Sequence, residues 1–176
     1  IIGISCRYPG AKNSQELWEN LKNGIDSVTE PPPQRWEEKN WYHPDPEHPN
    51  TAYSKSAGFL DEIDRFDPLF FEISPAEAQF MDPQQRIFLE EAYRAIEDAG
   101  YAADSFKNKQ CGVFVGVGDS GYSQLLLDAG LGTNRLAMTG QLRSMVPARI
   151  AYFLNLKGPV VAIDTACSSS LVAIHQ

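Results

Sequence analysis

Residues 159–174 constrain this chain more than any other stretch, because a short polar turn joins two apolar runs there. Pro159-Val160-Val161-Ala162-Ile163 is apolar and β-branched, the signature of a buried strand. Leu171-Val172-Ala173-Ile174 continues as a second apolar segment and fits a buried helix. Between them runs Asp164-Thr165-Ala166-Cys167-Ser168-Ser169-Ser170, so Cys167 is expected on a strand-to-helix turn. The first amides of a helix have no internal partners and the helix dipole favours negative charge there, which suits a thiolate at Cys167. The same N–H groups suit a developing oxyanion. A cysteine among small residues beside an apolar segment is most often an inert core thiol, and composition alone favours that reading over a nucleophile.

The remainder of the chain supplies alternating strands and helices. Ile1 to Ser5 reads as a strand ended by the turn at Pro9-Gly10. Asn13 or Ser14 then caps a helix carrying Leu17, Trp18 and Leu21, with Gly24 just past its end. Strand, turn and helix in that order begin an α/β unit. Residues 25–73 break the pattern with Pro31-Pro32-Pro33, Trp36, Trp41, His43-Pro44 and His48-Pro49, a long irregular insert whose aromatic residues pack it down. His43 and His48 each precede a proline in this loop and read as surface histidines, not ligands.

Asp82-Pro83 is the clearest helix start, an N-cap followed by proline at the first helical position. Leu89, Ala92, Tyr93 and Ile96 form its apolar stripe, Arg86, Glu90 and Arg94 are spaced to pair at i,i+4, and Gly100 stops it. Cys111 to Val117 is a further strand, apolar on both faces. It runs into Gly116-Val117-Gly118-Asp119-Ser120-Gly121, which fits the G-x-G-x-x-G turn of dinucleotide-binding folds. That reading needs an acidic residue about 20 positions on. None lies between Asp128 and Asp164. Gly118-Asp119-Ser120-Gly121 resembles the nucleophile region of trypsin-like proteases, yet those are β-barrels, and Tyr122 stands where the next glycine belongs. A plain turn is left. Residues 140–156 contain another helix, with Ile150, Phe153 and Leu154 on one face, Pro147 in its first turn, and Asn155 and Gly158 at its end.

With 176 residues, 43% of them hydrophobic, the chain makes one ordinary globular core. A formal charge of −8 argues against nucleic acid or an anionic membrane as partner, since both require a basic footprint. No apolar run of about 18 residues is present, so no membrane span is expected. Three cysteines without C-x-x-C spacing point away from a disulfide framework or a zinc site and fit a reducing, cytoplasmic setting. The chain opens on Ile1 without an initiator Met and stops shortly after Cys167, so it reads as a fragment.

Three strings together are specific. Asp164-Thr165-Ala166-Cys167-Ser168-Ser169-Ser170-Leu171, preceded by Tyr152-Phe153-Leu154-Asn155-Leu156-Lys157-Gly158-Pro159, closely resembles the nucleophile motif of β-ketoacyl synthases, specifically the ketosynthase domains of modular polyketide synthases. Met81-Asp82-Pro83-Gln84-Gln85-Arg86, Leu89-Glu90 and Ala95-Ile96-Glu97-Asp98-Ala99-Gly100 are similar to a hallmark stretch of the same type I ketosynthases. The resemblance covers essentially the whole chain. It implies an α/β, thiolase-like fold, of which residues 1–176 would be the N-terminal half, a mixed sheet with packed helices and the nucleophile on a strand-to-helix turn, with no second domain.

It further implies that Cys167 accepts an acyl group from a carrier-protein phosphopantetheine thioester, which is then condensed with a malonyl-type extender by decarboxylation. No cofactor is expected to bind directly; the substrates ride on the phosphopantetheine of acyl carrier protein. The partners implied are acyl carrier protein domains, other synthase domains of the same polypeptide, and a second copy in a homodimer with Val160 to Ile163 near its two-fold axis. The family also needs two histidines and a lysine, expected beyond this stretch. His175 does not supply one, because eight residues along a helix place it about 12 Å from Cys167 and roughly 80° round the axis. The fragment alone is therefore expected to be inactive in condensation. A domain that loads and passes on acyl chains without elongating them is the alternative. A degradative thiolase would share the fold but with a different cysteine context, and a papain-like hydrolase would need Cys-Gly-Ser-Cys-Trp or similar near its start, which is absent.

Overall fold

A computed structural model describes residues 1–35 and 41–176. Trp36, expected among the packed aromatics, lies outside the described residues. The chain forms two units, Cys6–Glu62 and a larger one built from Ile1–Ser5 with Ile63–Gln176.

In the smaller unit, helix α1 spans Ser14–Lys22. Asn13 caps it, its side chain accepting the Glu16 N–H at 2.8 Å, and Gly24 follows its end at φ +64°. The stretch beyond is less irregular than expected. Strands β1 (Val28–Thr29) and β2 (Ala57–Gly58) pair antiparallel, and Tyr42 bridges to Ala52. The chain between Trp41 and Ala52 closes into a loop through His43 N–H to Ala52 O at 3.0 Å and Ala52 N–H to Trp41 O at 2.7 Å. His43 and His48 stack across it with ring centroids 4.0 Å apart.

The larger unit carries the core. Four-residue helix α2 (Pro75–Ala78) leads into α3 (Pro83–Asp98), with the Asp82 carboxylate accepting the Gln84 N–H at 2.7 Å and Pro83 in the first turn, as the sequence requires. Leu89 is wholly buried and packs with Phe71, Ile73, Met81, Ile150 and Leu154, while Ala92, Tyr93 and Ile96 extend the same stripe. Arg94 pairs at 2.7 Å with Glu91, three residues before it. The helix closes at Gly100 with paired reverse bonds, Gly100 N–H to Glu97 O and Tyr101 N–H to Ile96 O. A cluster of aromatic rings fills the gap beside the stripe, with Phe70 edge-on to Tyr93 at 5.0 Å and Phe71 against Phe153 at 5.2 Å.

Strand β3 (Val113–Gly116) is followed by three helices, α4 (Tyr122–Asp128), α5 (Arg135–Gln141) and α6 (Met145–Phe153), before β4 (Val160–Ile163) returns parallel to it. A parallel pair requires such a crossover. Helix α6 lies where the pattern of Ile150 and Phe153 places it, with Pro147 in the first turn and Asn155, at φ +51°, just past its end. Helices α4 and α5 are not legible as such, being seven residues each. The final helix, α7, spans Ser169–His175.

Three expectations change. Ile1 to Ser5 forms no strand: no strand flanks it among the described residues, and it is held by Ile4 N–H donating to Asp98 at 2.8 Å and by a Ser5–Glu91 hydrogen bond. Strand β4 is half-exposed instead of buried, because β3 is its one neighbour among the described residues. Helix α7 rests on β3 through one face only, and Leu171 and Ile174 on its other face are 72% and 81% exposed.

Candidate active site

The reactive turn begins where β4 ends. Ala166 adopts φ +53°, a left-handed conformation that is uphill for a residue with a side chain. The polar residues of the string hold it there. Asp164 Oδ1 accepts the Ala166 N–H at 3.2 Å, Ser169 Oγ accepts the Thr165 N–H at 2.9 Å and donates to Ala166 O at 2.7 Å, and Ser168 Oγ donates to Thr165 O at 2.8 Å. These are local side-chain bonds that offer the backbone an alternative to regular structure. Cys167 lies in a single 3₁₀ turn, Ala166–Ser168, directly ahead of α7. This is the strand-to-helix turn expected, with one tight turn inserted between the strand and the helix.

Cys167 is exposed, and none of the three cysteines forms a disulfide. Its backbone N–H has no hydrogen-bond partner among the described residues. An open thiol beside an open amide is the pairing that nucleophilic acyl transfer uses: the sulfur attacks a carbonyl and an N–H receives the oxyanion. Gly116 makes room for this arrangement. A Cβ there would lie 2.7 Å from the Ser169 carbonyl carbon and the Ser170 nitrogen, so only glycine lets the start of α7 rest against the end of β3. The G-x-G-x-x-G string thus reflects backbone approach to a helix. His175 sits exposed at the opposite end of α7 from Cys167, and His43 and His48 belong to the smaller unit.

A cleft of about 160 Å³ lies between the start of α3, the end of β3 and the loop joining α5 to α6. Asp82, Gln85, Asp119, Ser120, Arg143 and Val146 are among its walls. Ser120, the residue of the protease-like string, donates its hydroxyl to the Asp82 carboxylate and accepts the Tyr122 N–H at 3.1 Å, which makes it a structural clamp. Arg143 reaches from the cleft to Asp164, forming an ion pair with the first residue of the turn.

Deeper still is a polar network that sequence reasoning left unassigned. Gln85 is wholly buried; its amide donates to the carbonyls of Thr139, Gly140 and Leu142 at 3.1, 2.9 and 3.2 Å, and its oxygen accepts from Arg149 Nε at 2.7 Å. Arg149 in turn donates to Glu77 at 2.7 Å. The chain passes so close here that a Cβ on Gly140 would fall 1.9 Å from Phe80 O. One signal was available. Gln85 lies four residues before Leu89, on the core face of α3, and a polar residue there must find its partners inside.

Neither a cluster of three or more potential metal ligands nor a helix long and apolar enough to cross a membrane occurs among the described residues.

The family profile described as "Beta-ketoacyl synthase, N-terminal domain" matches residues 1–176. Polyketide synthase PksL of Bacillus subtilis (strain 168) is 48% identical over 175 residues, covering 99% of this chain and 4% of that protein. Polyketide synthase PksM of the same organism is 49% identical over 176 residues, again 4% of its length. Among solved structures, the ketosynthase from module 6 of the bacillaene synthase from Bacillus subtilis 168, in a cysteine-to-serine variant, superposes with a TM-score of 0.87 at 47% identity, covering 99% of this chain and 28% of that one. The oxazolomycin ketosynthase domain OzmH KS7 of Streptomyces albus JA3453 gives a TM-score of 0.89 at 40% identity, covering 99% of this chain and 31% of that one. The chain therefore spans less than a third of these two solved ketosynthases and about 4% of these two synthases. It belongs to the β-ketoacyl synthase family, with an α/β, thiolase-like fold and the ketosynthases of polyketide synthases as its relatives.

Proposed function

We propose that this chain is the N-terminal portion of a polyketide-synthase ketosynthase domain and that Cys167 is its acyl-accepting nucleophile. The observation that carries this reading is the exposed Cys167 thiol beside its unpartnered amide, on a turn held in a left-handed bend by its own polar side chains. The Cys167 sulfur adds to the carbonyl of an acyl group borne on the phosphopantetheine of an acyl carrier protein, and the Cys167 N–H receives the oxyanion. Collapse expels the phosphopantetheine thiol and leaves the acyl group as a thioester on Cys167. The second step, decarboxylative condensation with a malonyl-type carrier thioester, draws on histidines and a lysine in the rest of the protein, so residues 1–176 alone do not elongate a chain.

Acyl carrier protein domains and the other domains of the same polypeptide are the partners in this reading. It also includes a cytoplasmic location and a homodimer in which Val160 to Ile163 lies at the two-fold axis; the half-exposed β4 supports that placement. A complete domain that stays monomeric at micromolar concentration removes the dimer. The test of the nucleophile is intact-mass analysis of the full-length protein after incubation with an acyl thioester. The wild type gains one acyl group on the peptide containing Cys167, and Cys167→Ala gains none. Loading that persists in Cys167→Ala ends the assignment.

A further inference from the structure

The ion pair between Arg143 and Asp164 joins the loop between α5 and α6 to the reactive turn, yet the two side chains are 47% and 40% exposed, and a pair that open adds little to folding stability. Its geometry has another consequence. Asp164 gives one oxygen to Arg143 and the other, Oδ1, to the Ala166 N–H at 3.2 Å, while the next amide along, that of Cys167, has no partner among the described residues. Asp82 and Asp119 also border the cleft. Asp82 is taken up by Ser120 and the Gln84 N–H, and Asp119 accepts the Gly121 N–H at 3.1 Å. Asp164 is thus the carboxylate that Arg143 holds. Released, it is free to turn about its Cα–Cβ bond, and the Cys167 N–H, three residues along the chain, is an unpartnered donor among the described residues. An amide occupied by a carboxylate cannot also receive an oxyanion.

We propose that Arg143 is a positioning residue for acyl transfer: by fixing Asp164 on the Ala166 amide, it keeps the Cys167 amide open for the tetrahedral intermediate. This rests on the acyl-transfer reading above. In the step it assists, a carbon–sulfur bond forms between Cys167 and the thioester carbonyl, whose π electrons move to oxygen. The bond to the departing thiol then breaks, and the proton that Cys167 lost ends on that thiol.

Two rates on the full-length protein test it, acyl loading of Cys167 from an N-acetylcysteamine thioester and alkylation of Cys167 by iodoacetamide. Alkylation displaces iodide and builds no oxyanion, so it does not need the amide. In Arg143→Gln, loading falls by about tenfold, part of the loss seen when an oxyanion donor is removed outright, while alkylation changes by less than about twofold. Arg143→Lys, which still donates to Asp164, recovers part of the loading. In an Asp164→Ala background, Arg143→Gln has no further effect, because the carboxylate it would release is gone. Unchanged loading in Arg143→Gln overturns the proposal, as does a parallel fall in both rates, which is the mark of a disturbed fold. Wild-type protein that is alkylated at Cys167 but never acylated overturns the acyl-transfer reading itself, and the proposal with it.

Discussion

Gln85 and Arg149, 64 residues apart in sequence, meet through a 2.7 Å hydrogen bond in the interior, where Gln85 has no exposed surface and Arg149 is 8% exposed. The pair ties α3 to α6, the two helices that sandwich Leu89 and Ile150. Replacing Gln85 by Leu keeps the bulk but strips Arg149 Nε and the Thr139 carbonyl of their partner, whereas the Leu142 carbonyl keeps the Met145 N–H at 3.0 Å. Buried polar groups left in that state cost about 1–3 kcal/mol each, so we expect Gln85→Leu to lower unfolding stability by about 3 kcal/mol in denaturant titration of the full-length protein. A loss below about 1 kcal/mol would show that the network is not holding the helices together.

Asp82 combines two tasks, capping α3 through the Gln84 N–H and receiving the Ser120 hydroxyl. Asp82→Ala should cost about 1–2 kcal/mol, and Asp82→Asn, which keeps the cap, clearly less. Equal losses in thermal unfolding of the two variants would mean that the cap contributes nothing.

Gly116→Ala places a methyl carbon 2.7 Å from the backbone of Ser169 and Ser170. Backbone cannot step aside as a flexible side chain does, so α7 must shift away from β3. Destabilisation of about 1–3 kcal/mol is expected, together with slower acyl loading of Cys167. Loading at the wild-type rate in a folded Gly116→Ala protein would separate the position of α7 from the reactivity of the turn.

At Ala166 the sign of the effect should depend on the side chain. Glycine accepts φ +53° without strain but adds freedom to the unfolded chain, two effects of about 1 kcal/mol that nearly cancel, so Ala166→Gly is expected to leave stability within about 1 kcal/mol of wild type. Valine is β-branched and fits the left-handed region poorly, so Ala166→Val should lose about 2 kcal/mol or more and load little acyl group. Calorimetry that ranks valine above glycine would refute the bend.

Much of this layout was readable from pattern. The caps at Asn13 and Asp82, the stripe Leu89, Ala92, Tyr93 and Ile96, the helix around Ile150 and the strands near Val113 and Val160 all follow from periodicity and end signals that act over a few residues. The misses share a physical cause. Helices α4 and α5 are too short for a period to show, and the pairing of Val28 with Gly58 joins segments 30 residues apart through two-residue strands that carry no alternation. Ile1 to Ser5 has strand composition, but a strand exists only against a neighbour. Within the site, Cys167 stood out through its string. Arg143 and Arg149 did not, because what they do depends on the distant residues they meet.

The bonds that shape the reactive turn run among Asp164, Thr165, Ala166, Ser168 and Ser169, residues that follow one another along six positions. Its form is consequently portable. Arg143 apart, the surrounding walls are free to diverge through mutation and accept different cargo while this short cassette keeps its conformation, provided that the supporting β-strands and the crossing helix continue to deliver it to the same place.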